Sequence, residues 1–182
     1  MAPSTTSHDE RVTTPRVNSQ TALDATGIVS VLNAHGVRYV VIGAFAAIAQ
    51  QAPIAPTRDI YLTPDDAADN LELLSAALKE LDAHVRTDSM TGGIPFDHDA
   101  ASLARVDVWN LICRYGELDI AFRPSGIEGG YAQLAARAHR VVVNDVEVSV
   151  ADLDDVIRSK EAAGRPKDLQ VLPALYRHRR NR

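Results

Sequence analysis

The stretch YVVIGAFAAIAQ, residues 39–50, joins the two patterns that decide the fold. Residues 39–42 are all β-branched or aromatic and end at a glycine, as a short buried strand does. Gly43 then opens an alanine-rich segment, residues 44–50, which predicts a helix. We therefore expect a strand that turns directly into a helix, and the first turn of that helix would offer unpaired N–H groups to a phosphate.

Helical and strand patterns alternate on both sides of this stretch. Helices are predicted from Thr21 to the glycine at Gly36, over residues 67–81, 131–138 and 152–162, and in a last segment running toward Arg177. Strands are predicted over residues 59–62, 106–112, 118–122, 141–143 and 146–150. Strands that follow each other closely, mixed with helices, favour an α+β (mixed α/β) fold with a small twisted mixed sheet flanked by helices, and not a doubly wound parallel sheet.

Local signals mark where several of these elements begin or end. Residues 63–66, Thr-Pro-Asp-Asp, resemble a helix start with Thr63 as N-cap and Pro64 at the first helical position. Asn144 and Asp145 form the residue pair of a tight hairpin. Gly164 predicts the end of a helix. Residues 82–104 fit neither period and are expected to be irregular.

Composition limits the class of protein. The chain has 182 residues, a net charge of −5 and a hydrophobic fraction of 46%, which suits one domain with a sizeable core. We expect a disordered leader over residues 1–20, the domain over residues 21–178 and a basic tail over residues 179–182. Cys113 is the only cysteine, which excludes an internal disulfide and a cysteine-based zinc cluster. With no apolar run of about 20 residues and no signal peptide, we expect a cytoplasmic protein with no membrane partner.

Two acids stand inside predicted strands. Asp59 and Asp119 each alternate with apolar neighbours, so each carboxylate should point to the face opposite those neighbours. If the two strands are adjacent, both acids meet on one open face, where they repel each other unless a cation lies between them. Mg²⁺ is bound by one or two carboxylates together with substrate phosphates. The alternative for each acid alone is a solvated strand face.

Four segments in this order resemble a known family. They are the strand–Gly43–Ala44–helix unit, TRDIYL at residues 57–62, ELDI at residues 117–120, and LDDVIRSKEAAGRPKDL at residues 153–169. Together they resemble the polymerase-beta-type nucleotidyltransferase superfamily, and within it the branch of the AbiEii and MenT toxins of bacterial toxin–antitoxin pairs. In that branch the second segment reads Thr-x-Asp-Ile-Asp-Leu and precedes a helix that carries an asparagine, for which Asn70 is the match.

The resemblance implies a role for individual residues. Asp59 and Asp119 would bind Mg²⁺, and Asp119 would also help to activate the attacking hydroxyl. Lys160 would contact the triphosphate or the acids of the site, and Asp168 would order the site, so these four residues are the implied catalytic group. The implied nucleotide-binding residues are Gly43, Ala44, Thr57, Arg58, Tyr61 and Arg165.

This chain departs from the family pattern at two of these positions. Tyr61 stands where the family has a second aspartate, and a neutral phenol is a poor ligand for Mg²⁺ at pH 7. The metal pair of the family would then lack a bridging carboxylate. Ala44 replaces the hydroxyl or glycine that approaches the phosphates. Asp107, on the strand before Asp119, is the candidate to compensate, and a surface acid is the alternative.

Three functions remain open at this point. The resemblance implies a toxin that transfers NMP from an NTP to the 3′ end of tRNA, blocks translation and is silenced by a cognate antitoxin protein. Tyr61 favours a second function, a catalytically inactive module that binds nucleotide or a partner protein. A nucleotidyltransferase directed at a sugar or drug would share the fold, and only the basic segment after Tyr176 favours RNA over such acceptors. Residues 97–99, Asp-His-Asp, indicate either a metal site or, more simply, a polar loop cap.

Overall fold

The computed structural model describes residues 22–182, so the predicted leader lies outside the described residues. The strands are β1 (Tyr39–Ile42), β2 (Asp59–Pro64), β3 (His84–Thr87), β4 (Met90–Ile94), β5 (Val108–Cys113), β6 (Gly116–Ala121), β7 (His139–Val143) and β8 (Val146–Val150). The helices are α1 (Ala25–Ala34), α2 (Ala44–Ala49), α3 (Ala68–Glu80), α4 (Ala100–Leu103), α5 (Gly130–Ala135), α6 (Leu153–Ala163) and α7 (Pro166–Arg180).

The eight strands form one mixed sheet in the order β4-β3-β5-β6-β2-β1-β8-β7. The pairs β2–β6 and β1–β8 are parallel, and the other five neighbouring pairs are antiparallel. Short hairpins therefore alternate with longer crossovers, as the α+β prediction requires. The predicted mixed fold is confirmed.

Alternation along β2 and β6 separates the core from an open face. Ile60, Leu62, Leu118 and Ile120 are fully or almost fully buried, whereas Asp59 and Asp119 are only partly so. Because successive side chains of a strand point to opposite faces, the polar residues of both strands lie on the side away from this core. One face of the sheet therefore carries the polar side chains of β2 and β6, and the opposite face packs into the core.

The helix start predicted at Thr63 is wrong. Thr63 and Pro64 continue β2, where they pair with Val40 and Tyr39 of β1. The antiparallel ladder extends the strand past the local capping pattern, and α3 begins five residues later, after Ala67, which makes no side-chain cap hydrogen bond. Strand pairing with β1 has therefore overridden the local helix-start pattern at residues 63–66.

Asn70, on α3, ties that helix to the loop before β1. Its side chain accepts a hydrogen bond from the Arg38 backbone N–H at 2.7 Å and donates to the backbone oxygens of Arg38 at 3.0 Å and Asp65 at 2.7 Å. The side chain is fully buried, and these contacts satisfy both ends of its amide. Asn70 therefore has a structural role in holding α3 against the β1–β2 pair.

The segment expected to be irregular, residues 82–104, contains β3, β4 and α4. The cap expected at residues 97–99 is present, because Asp99 closes a capping box with Ser102 at the start of α4 and His98 is held by Ser75. The predicted hairpin at Asn144 and Asp145 is confirmed, with φ of 48° and 64° at the two turn residues.

The C-terminal helix is longer than the sequence pattern indicates. α7 continues to Arg180, so most of the basic segment is helical. No helix within residues 22–182 combines the length and apolar composition needed to cross a membrane.

Candidate functional site

The two strand acids lie on neighbouring strands and on the same face. β2 and β6 pair in parallel, with Asp59 opposite Glu117 and Tyr61 opposite Asp119. Asp59 and Asp119 are therefore diagonal neighbours, one strand and two residues apart. The expectation that their strands are adjacent is correct, but Tyr61 is the residue level with Asp119.

A cavity of about 300 Å³ opens over this face. It is lined by both acids, Asp59 and Asp119, and by residues from the turn before α2 and from α6 and α7. Of the residues singled out from sequence, it gathers Gly43, Ala44, Thr57, Asp59, Tyr61, Asp119, Lys160, Arg165 and Asp168, and it adds Lys167. Arg58 is exposed and does not line the cavity.

Asp59 is oriented by its neighbour two residues earlier. The Thr57 hydroxyl donates a hydrogen bond to Asp59 Oδ1 at 2.6 Å. Charge-assisted hydrogen bonds of this kind are stronger than neutral ones, so the Asp59 carboxylate is held in one orientation.

Asp119 is bound by an arginine that the sequence did not single out. Arg86 on β3 donates from Nη2 to Asp119 Oδ1 at 2.9 Å and from Nη1 to Glu117 Oε2. Burial raises the pKa of the Asp119 carboxyl, the nearby Arg86 charge opposes that rise, and Asp59 adds to it; the pKa lies above its usual range. Asp119 therefore combines a fixed position with an increased affinity for a proton.

Tyr61 stays protonated in this setting. Burial raises the pKa of its phenol, and the negative charge of Asp119 raises it further. The phenol cannot supply the anionic ligand that an aspartate would supply at the same place.

Lys160 and Asp168 are brought together by the short link between α6 and α7. Gly164 ends α6 in the left-handed conformation, with φ of 61°, and Pro166 begins α7. The Lys160 ammonium donates to Asp168 Oδ1 at 2.9 Å, and Arg165 Nε donates to Oδ2 at 2.5 Å.

The Asp168 carboxylate is almost completely enclosed, at 1% exposure, and Lys160 is 9% exposed. Burial alone would raise the pKa of Asp168, but the hydrogen bonds from Arg165 and Lys160 outweigh it and hold the pKa below its usual range. Both carboxylate oxygens are occupied, so Asp168 positions the two cations at the wall of the cavity.

Gly43 turns the chain from β1 into α2 with φ of 85° and ψ of −154°. This backbone region is accessible essentially to glycine alone. A Cβ at this position would approach Tyr61 Cβ at 3.5 Å, an ordinary contact, so the requirement for glycine comes from the backbone and not from crowding.

Replacing Gly43 with alanine should therefore destabilise the fold by about 1–3 kcal/mol through backbone strain. Urea unfolding followed by circular dichroism measures this change. Gly92→Ala is the matched control, because Gly92 has open space around it and no positive φ. Equal stability of the two variants would show that the turn at Gly43 tolerates a side chain.

Asp107 does not compensate for Tyr61, and that prediction is wrong. The strand β5 begins one residue later, and Asp107 is exposed. In the pairing of β5 with β6, Asn110 lies opposite Asp119 and therefore shares its face of the sheet. Because side chains alternate, an odd offset from Asn110 places Asp107 on the other face. The additional acid on the site face is Glu117.

The donor set fits one divalent cation. Asp59 and Asp119 each have one carboxylate oxygen free of the hydrogen bonds described above, and Mg²⁺ needs only one or two carboxylates plus phosphates. A pair of ions fits poorly, because Tyr61 is neutral and Arg86 occupies an oxygen of both Glu117 and Asp119. Within residues 22–182, no three His, Cys, Asp or Glu side chains are grouped as a ready metal site.

Comparison with solved structures assigns the architecture to the nucleotidyltransferase-like folds. TM1012 of Thermotoga maritima, whose own assignment as a nucleotidyltransferase is provisional, superimposes with a TM-score of 0.51 at 15% identity, covering 85% of this chain and 91% of that one. The solution structure of the antibiotic-resistance factor ANT(2'')-Ia gives a TM-score of 0.52 at 13% identity, covering 83% and 82%.

ANT(2'')-Ia in complex with adenylyl-2''-tobramycin gives a TM-score of 0.51 at 14% identity, covering 81% of this chain and 83% of that one. At these identities the likeness is one of fold. No protein-family model matches the chain, and no curated protein matches it in sequence.

Proposed function

We propose that this chain binds a nucleoside triphosphate in the cavity and transfers its NMP group to an acceptor hydroxyl, the acceptor being the 3′ end of tRNA. One observation carries the proposal. The Gly43 turn, the acids of β2 and β6, and the cations of α6 and α7 are remote in sequence, yet they line a single cavity. Perturbed acids beside clustered cations in a cleft are typical of a catalytic site.

The cations would bind the triphosphate. Lys160, Arg165 and Lys167 line the same side of the cavity, on α6, α7 and the link between them. Arginine and lysine are the usual phosphate ligands of proteins. Asp168 holds two of these cations in place, so it acts on the nucleotide through them.

The acids of β2 and β6 would act on the phosphate that is transferred and on the attacking hydroxyl. Asp59 and Asp119 would hold the divalent ion, which when bound neutralises charge on the transferring phosphate. Asp119, whose carboxylate lines the cavity, would also help to activate the attacking hydroxyl, as the resemblance implies. Tyr61, beside it, would donate a hydrogen bond where the family pattern supplies a negative charge.

Two features support tRNA as the acceptor and a toxin–antitoxin role. The resemblance to the AbiEii and MenT branch is strongest over residues 153–169, the segment that builds the cation side of the cavity. The last turn of α7 carries Arg177, His178, Arg179 and Arg180, which could follow an RNA backbone. A cognate antitoxin is then the expected protein partner, because such transfer would block translation.

Incubation with tRNA and each labelled NTP tests the proposal, with mapping of the labelled position. We expect label at the 3′ end, and we expect Asp119→Asn to lower the rate by about a hundredfold or more, since a catalytic base contributes that much. Asp107→Asn is the matched control and should leave the rate unchanged. Absence of transfer by both the wild type and Tyr61→Asp would refute it, and transfer to an aminoglycoside in place of tRNA would identify another acceptor.

A catalytically inactive nucleotide-binding module is the second candidate. The observation that favours it is the pairing of a neutral Tyr61 with an Asp119 already bound by Arg86. Thermal unfolding with NTP separates the two candidates, because binding to the native state raises its stability. Stabilisation by NTP that is indifferent to Mg²⁺, together with no transfer, would favour the module.

A further inference from the structure

Arg86 places a fixed positive charge beside the acids of β6. Its two terminal nitrogens bind different carboxylates, Nη2 that of Asp119 at 2.9 Å and Nη1 that of Glu117. The three side chains are 28%, 13% and 29% exposed respectively, so the group is largely shielded from water. An arginine fork that bridges two carboxylates in such a setting is held more firmly than a surface ion pair.

The guanidinium reaches the acids across an intervening strand. β3 pairs with β5 so that Val85 lies opposite Leu111, which places Arg86 level with Asn110. Asn110 lies opposite Asp119, and Asp119 lies opposite Tyr61. Arg86 is thus in the same cross-sheet row as Asp119 and Tyr61, on the face where a metal ion would bind.

We propose that Arg86 takes the place of one metal ion of a two-ion site, so that this cavity accepts a single divalent cation. Three carboxylates share the face, namely Asp59, Glu117 and Asp119. One guanidinium offsets one of their charges, and Tyr61 adds none. In the cavity itself Asp59 and Asp119 each keep one carboxylate oxygen free, and these two oxygens suit one divalent ion together with substrate phosphates.

The same contacts explain why a second ion is excluded. Arg86 occupies one oxygen of Glu117 and one of Asp119, which removes donors that an ion would need. Its charge also repels any cation that approaches these acids, and the repulsion is strong where water is limited. Replacing Arg86 with a neutral residue therefore frees carboxylate oxygens of Glu117 and Asp119 and also removes the repulsion of an approaching cation.

Binding of Mn²⁺ alone, followed by electron paramagnetic resonance of the free ion, tests this. We expect Arg86→Gln to bind Mn²⁺ about tenfold more tightly than the wild type, because one nearby positive charge is removed. Arg86→Lys keeps the charge and should stay close to the wild type. Arg140→Gln, which breaks the pair with Glu147 on β7 and β8, is the control for a lost surface charge and should change nothing. Adding Asp119→Asn to Arg86→Gln should abolish the gain.

Equal or weaker Mn²⁺ binding by Arg86→Gln, or a gain as large in Arg86→Lys, would overturn the proposal. Should Arg86→Gln fail to fold, the wild type alone decides: one Mn²⁺ per chain is expected, and two ions that are both lost in Asp59→Asn would contradict it. The inference rests on the proposed function only for the location of the metal site. The Mn²⁺ titration needs neither nucleotide nor transfer, so a failed transfer assay leaves its outcome interpretable.

Discussion

Replacing Tyr61 with aspartate should raise the rate of the proposed nucleotidyl transfer by about a hundredfold, the effect of one well-placed electrostatic group at a transferring centre. Tyr61 shares a strand face with Asp59 and lies opposite Asp119, so a carboxylate there would point at the same space as both acids. It would supply the ligand that the neutral phenol does not, and would strengthen the binding of a divalent cation beside the nucleotide.

Transfer of labelled NMP to tRNA measures the gain under saturating NTP. Tyr61→Asn is the matched control, because it shortens the side chain to the same extent without adding charge, and it should show no gain. Because Tyr61 is half-buried, thermal unfolding of both variants should accompany the assay. Equal rates for Tyr61→Asp and Tyr61→Asn would show that the missing carboxylate does not limit this site.

Replacing Asp168 with asparagine should destabilise the protein by about 3–5 kcal/mol, the cost of leaving a buried charge without its partner. The variant leaves the buried Lys160 ammonium without its carboxylate, and Arg165 loses the same partner. Urea unfolding at pH 7 measures the loss. Asp154→Asn is the matched control, since Asp154 pairs with Arg137 and Arg179 at the surface and should cost less than about 1 kcal/mol.

The effect of Asp168 should also depend on pH. Because its folded pKa is depressed, its contribution is present above the pKa of the unfolded chain and is lost as pH falls through the folded value. The stability difference between wild type and Asp168→Asn should therefore be full at neutral pH and shrink in acid. The double variant with Lys160→Met should recover part of the stability, and no recovery would contradict a role for the buried pair.

Several parts of the site follow from patterns that are local in sequence. The strand and the helix at Gly43 are separated by one residue with a backbone that glycine alone adopts readily, so the turn is visible in the sequence. Lys160 and Asp168 lie eight residues apart across a glycine stop and a proline start, and that link alone brings them together. Local rules predicted the turn at Gly43 and the helix end at Gly164, whereas Lys160 and Asp168 were identified through the family resemblance.

The parts that sequence reasoning missed depend on pairing between distant strands. β3 and β4 are short, and β4 contains two glycines, so neither has a clear alternation of apolar residues. Arg86 lies on β3 and meets acids more than 30 residues away, and nothing near it in sequence marks it as a site residue. The prediction for Asp107 was wrong for a related reason, because a register difference of one residue between β5 and β6 places a side chain on the other face of the sheet.

The central claim is that the cavity over β2 and β6 binds a nucleoside triphosphate, and isothermal titration tests it most directly. Each NTP is titrated into the wild type, Lys167→Ala and Lys79→Ala, two exposed lysines of which only Lys167 lines the cavity. We predict one NTP per chain, bound more tightly than the matching nucleoside, and weakened several-fold by Lys167→Ala but not by Lys79→Ala. Absence of binding by every NTP, or an equal loss in both variants, would contradict it.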